Sequence, residues 1–133
     1  MNRGGIVEVA RCYNMNMEPL SDYVSQDKNG RVKIPDFDTP YIAIHNHPSG
    51  LTFSPSDVYR IADREYMMML TDVGNDGSVY SVEKKSDINA ALIKNAASKA
   101  ADDIGEEKSD TKALSLAVSL IKKCGEYGIE YYR

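Results

Sequence analysis

Apolar and polar residues alternate from Ile6 to Tyr13 after a Gly-Gly pair, which predicts a first β-strand with Glu8 near its start. No period stands out in MNMEPLSDYVSQ. Asp27-Lys28-Asn29-Gly30 then places Asn-Gly between extended segments, so Leu20–Val24 is expected to pair with Arg31–Ile34 as a hairpin. Asp36 to Pro40 is turn-like. Tyr41 to Asn46 is a short apolar run ending in polar residues, the pattern of a central strand buried on both faces. Ser54-Pro55-Ser56-Asp57 has the chemistry of a helix start: a hydroxyl at N-cap, Pro at N1 and an acid at N3. Tyr66–Val73 and Ser78–Glu83, joined by Gly74 to Gly77, predict a second hairpin in which the methionine run serves the core.

From Asp87 the period changes. Ile88, Leu92, Ala96, Ala100 and Ile104 recur at helical spacing, and after a polar break at Gly105 to Asp110 a second stripe follows through Ala113, Leu114, Ala117, Val118 and Ile121 toward Gly125. The pattern predicts an α/β (α+β) fold. Its mixed, largely antiparallel curved sheet is flanked by helices, with a C-terminal helical hairpin. Residues 1–133 are expected to form one domain, with 87–133 as a helical portion packed on it. The tail GIEYYR has no stop signal and reads as cut from a longer polypeptide, so Tyr131 and Tyr132 would face the remainder of that chain or a second copy.

Composition narrows the function. A chain of 133 residues that is 42% hydrophobic and 27% charged suits one modest core. The formal net charge of −4, without a basic stripe, argues against nucleic acid as a partner. No apolar run is long enough to span a bilayer and no signal peptide is visible, so a cytoplasmic location with no membrane partner is expected. Cys12 and Cys124 stand too far apart in sequence to suggest a metal or redox motif and read as buried free thiols.

The chemistry lies in HNHPSGLTFSPSD. His45 and His47, the only histidines, are one residue apart on a predicted strand, so both imidazoles leave the same face of the sheet. Asp57 offers a carboxylate from the first turn of the following helix, and Gly50 gives the connecting loop room to fold back. Two histidines and a carboxylate with a fourth position open form a catalytic rather than a structural zinc set. For Ser54 and Asp57, helix capping is a sufficient reason to be there even without a metal.

The segment resembles the signature of the JAMM (MPN, JAB) zinc metalloproteases, in which an upstream glutamate is followed by His-x-His-Pro and, after a spacer, Ser-x-x-Asp. HNHPSG is closest to the bacterial branch, similar to RadC-like and prophage-encoded domains. The resemblance implies a JAB/MPN-like fold, His45, His47 and Asp57 as zinc ligands, Ser54 steadying the oxyanion, and Glu8 as general base, with Glu18 the weaker candidate. It also implies a zinc-activated water attacking a peptide or isopeptide amide in a protein or peptide substrate. The spacer Pro48 to Phe53 is one residue shorter than the family's usual one. A second expectation, from a different class, is a non-catalytic metal-binding or assembly module of a phage- or mobile-element-encoded protein. A zinc nuclease or deaminase ranks last, because the deaminase motif is absent and the charge is acidic.

Overall fold

A computed structural model describes residues 8–25, 32–47, 53–74, 76–106 and 110–132. Strands β1 (Val9–Asn14), β2 (Val24–Ser25), β3 (Tyr41–His47), β4 (Met67–Gly74), β5 (Val79–Lys84) and β6 (Ile129–Tyr132) form one sheet in the order β2-β1-β3-β4-β5-β6. Helix α1 (Pro55–Asp63) lies between β3 and β4, and α2 (Ala90–Glu106) and α3 (Asp110–Cys124) precede β6. Every strand pairing is antiparallel except that of β3 with β4. A parallel pair cannot close through a tight turn, and α1 supplies the crossover. The fold is therefore mixed α and β with a largely antiparallel sheet, and α2 packs on α3 as a helical hairpin.

One face of the sheet carries the core. Along β3, Tyr41, Ala43 and His45 are buried while Ile42, Ile44 and Asn46 are half-buried, so this central strand is fully covered on one face only, not on both as its apolar run suggested. On β4 the pairing slips between Tyr41 and Ile42, which face Met67 and Met69. Met68 is the extra residue, and the slip lets Met67 and Leu70, three positions apart, both turn inward. Helix α1 begins as its sequence dictates: the Ser54 hydroxyl accepts from the Asp57 N–H, the Asp57 carboxylate accepts from the Ser54 N–H, and Pro55 occupies the first turn. Val58, Ile61 and Ala62 of α1 then meet Ile93 and Ala97 of α2 in the same buried cluster.

Three further expectations are corrected. The hairpin of Leu20–Val24 with Arg31–Ile34 does not form: Val24 and Ser25 pair instead with Ala10 and Val9 of β1, and residues 32–40 carry no strand. Arg64 ties that segment down by donating to Pro35 O and to the Tyr41 hydroxyl, which itself donates to Asp36. The predicted turn residues Asp27 to Gly30 lie outside the described residues. On α2 the buried positions are Ile93 and Ala97, one step round from the predicted stripe, and Leu92 is 43% exposed. On α3 the inward face is Ala117, Leu120, Ile121 and Cys124, leaving Val118 outside. The tail forms an edge strand paired to β5, with Tyr131 stacked on Tyr80 and edge-on to Phe53.

The return of the tail to the sheet depends on Gly128. Its φ of 97° is left-handed, and an added Cβ would lie 2.5 Å from Ile88 Cα. Gly128 O accepts from the Lys85 N–H and Tyr127 O from the Asn89 N–H, locking the tail to the start of α2. Gly128→Ala should therefore destabilise the protein by about 2 kcal/mol or more. Gly125→Ala, where a Cβ meets nothing within 4 Å, should be close to neutral. Urea denaturation of both variants checks this, and equal midpoints would contradict the packing.

Candidate metal centre

The parallel β3–β4 junction sets the site. Register places Ala10 of β1, His45 of β3, Asp72 of β4 and Tyr80 of β5 in one row across the sheet, all on the covered face. The small side chain of Ala10 leaves room on one flank of His45. On the other flank His45 Nε2 lies 2.8 Å from Asp72 Oδ1, and Asp72 is wholly buried.

Asp57 reaches the same place from α1. It is buried, with Oδ2 accepting from the Ser54 N–H at 3.1 Å and Oδ1 lying 3.3 Å from Arg60 Nη1. Its capping and its position at the centre are thus one geometry. His45, Asp57 and Asp72 each offer a donor atom, and these atoms lie within 4.8 Å of one another. One nitrogen and two carboxylate oxygens, buried together, form a donor set that suits zinc or another divalent cation.

Of the ligands expected from sequence, His45 and Asp57 are brought together. His47 is described through its backbone alone: it closes β3, paired with Gly74. Ser54 is the half-buried N-cap of α1, directly bonded to Asp57. Glu8, half-buried, comes just before β1, whose first N–H, that of Val9, donates to Asn46 Oδ1 at 2.6 Å. Glu18 is not near. It is exposed and bonded to Asn14 at the opposite end of β1, four strand positions from Ala10, or about 13 Å.

Asp72 is the member that sequence reasoning missed. The signal was a carboxylate inside an apolar strand, in phase with Leu70. The cysteines belong to the core: both are buried, and burial pushes their thiols up to about 11. They stay protonated at neutral pH. Among the described residues, no helix is long and apolar enough to cross a membrane. Comparison of the chain with known protein families, with curated proteins and with solved structures finds no match.

Electrostatics raise the proton affinity of His45. Removal from water, the largest influence, pulls its pKa down. The close carboxylate of Asp72, then the charge of Asp57, outweigh that effect against a small opposing contribution from Arg60, and the value lies above the usual 6.5. A raised folded-state value stabilises the metal-free protein fully below the unfolded pKa and is lost as pH rises through the folded one. Zinc has the opposite preference because it needs the imidazole without its extra proton. Thermal melts between about pH 6 and 8 should therefore show the His45 contribution falling with pH in chelator and the zinc-induced rise in Tm growing with pH. His45→Gln should remove both trends, and pH-independent zinc stabilisation would contradict the assignment.

Proposed function

We propose that this protein is a zinc-dependent hydrolase of peptide or isopeptide amide bonds, of the JAMM type. The observation that carries the reading is the convergence of buried His45, from the end of β3, with buried Asp57, from the first turn of α1. The HNHP and SPSD segments are read as two halves of one centre, and these are the residues that must meet. His45, His47 and Asp57 would hold the ion.

Zinc, when bound, supplies a water whose pKa falls to about 7. The remaining work belongs to the chain. Asp57 is presented by its capping bonds, so its carboxylate needs little reordering to ligate. Glu8 takes the proton of the attacking water and passes it to the leaving nitrogen. The Ser54 oxygen already accepts from the Asp57 N–H, which keeps the hydroxyl proton for the substrate carbonyl oxygen. Loss of such a donor costs roughly 3 kcal/mol in other hydrolases.

One observation favours the second reading, a non-catalytic metal-binding or assembly module. Asp72 brings a further donor to the cluster, and four protein ligands would close a tetrahedral zinc site to water.

Crystals of the zinc-loaded protein should give an anomalous peak about 2 Å from the imidazoles of His45 and His47 and from the Asp57 carboxylate. Absence of that peak after loading would sink the proposal. On a quenched-fluorescence peptide library, Glu8→Gln should abolish turnover while zinc stays bound. Zinc binding without turnover by the wild type on peptide and isopeptide probes would favour the second reading.

A further inference from the structure

We infer that the open face of the sheet, opposite the candidate centre, is the contact surface of a two-fold dimer, with a second copy of this chain as its partner. The inference is independent of the zinc reading. Three observations carry it.

The first is exposure. The buried residues of α1, α2 and α3 cluster with Ala10, Ala43, Leu70 and Val82, which share one side of the sheet. Strand alternation sends Ile42 and Ile44 of β3, Met69 and Val73 of β4 and Val79 of β5 to the other side. Val73 is 37% and Val79 48% exposed, so this apolar strip meets solvent. A contiguous apolar patch with a polar rim marks an interaction surface.

The second is charge. Arg11 of β1 stands on one flank of the strip, donating to Ser21 O and lying over the rings of Tyr13 and Tyr23, 5.7 and 4.6 Å from their centroids. Glu83 of β5 and Glu130 of β6 stand on the opposite flank, each within hydrogen-bond distance of the Tyr132 hydroxyl. Lys85 pairs with Glu130, so that flank keeps a net negative charge at Glu83.

The third is symmetry. The register aligns Arg11, Ile44, Thr71, Ser81 and Tyr132 in one row, and Tyr13, Ile42, Met69, Glu83 and Glu130 in the next. The apolar middle falls on β3 and β4, with the cation one strand beyond β3 and the anion one strand beyond β4. A two-fold axis parallel to the strands, over the β3–β4 boundary, exchanges β1 with β5. Two sheets stacked on that axis, about 10 Å apart, lay β3 of each copy on β4 of the other. Arg11 of each copy then lies over Ser81 of the other, one row, or about 7 Å, from Glu83 and within reach of an arginine side chain. An isologous contact requires this self-complementarity, which a partner of other chemistry would not need.

The test is sedimentation velocity on the full 133-residue chain, for which a dimer is expected. Arg11→Glu and Glu83→Arg, each alone, set like charges face to face and should raise the dissociation constant about tenfold or more. An equimolar mixture of the two variants should regain the wild-type affinity, because every charge pair across the mixed dimer is again opposite in sign. A monomeric wild type at about 0.1 mM would overturn the inference, since specific interfaces of standard size associate at micromolar concentrations or below. A dimer unchanged by either variant, or a mixture no tighter than its components, would overturn it too. Circular dichroism checks that the variants are folded. If either charge variant is not, Ile44→Glu at the middle of the face decides: a monomer is expected, and a persisting dimer places the contact elsewhere.

Discussion

The parallel pairing of β3 with β4 is the constraint on which the rest of the structure depends. An antiparallel neighbour could follow β3 through a short turn, but a parallel one requires the chain to leave the end of β3, cross the sheet and re-enter at the same edge as β3 began. Helix α1 makes that crossing, and its first turn must therefore lie just beyond the carboxyl end of β3. Three things then meet at one place: the last residues of β3, the N-terminus of α1 and the middle of β4. Ligand sites gather at such strand ends in open sheets, because backbone and side chains from separate segments converge there. Capping fixes the helix start at Ser54, and with it the position of Asp57.

The centre concentrates charge where the fold excludes water. A buried carboxylate is costly unless it is paired, and Asp72 is paired with an imidazole whose proton affinity it raises. Removing one partner of such a pair usually costs about 3–5 kcal/mol, because the other is left charged and dry. Arg60 plays a comparable part for Asp57 from the partly exposed side of α1, where the interaction is weaker. Acid and base are therefore balanced locally, in a chain whose overall charge is negative.

Much of the fold was legible because local chemistry and tertiary position agree. The start of α1 is written in Ser54, Pro55 and Asp57, and β4 and β5 in their apolar alternation around a Gly-containing turn. The reading failed where a partner distant in sequence decided. Val24 pairs with Ala10 of β1 while residues 32–34 carry no strand, and the tail finds β5 only after two helices have turned the chain back. On α2, alanines on several faces left the stripe ambiguous, and packing on α1 selected Ile93 and Ala97. In the site, His45 and Asp57 were visible as a spaced pattern. Asp72 was not, since its meaning depends on a register between β3 and β4 that no local motif encodes.

Asp57 belongs at once to a helix terminus and to the candidate centre, and this joins two properties that are usually separate. The carboxylate that accepts the Ser54 amide is the one a cation would draw on, so any pull on it is transmitted to the first hydrogen bonds of α1. Were a cation bound there, fraying of that turn and loss of the ion would become a single cooperative event. Amide exchange at the head of α1 would then act as a gauge of occupancy in the centre, readable without any substrate in hand.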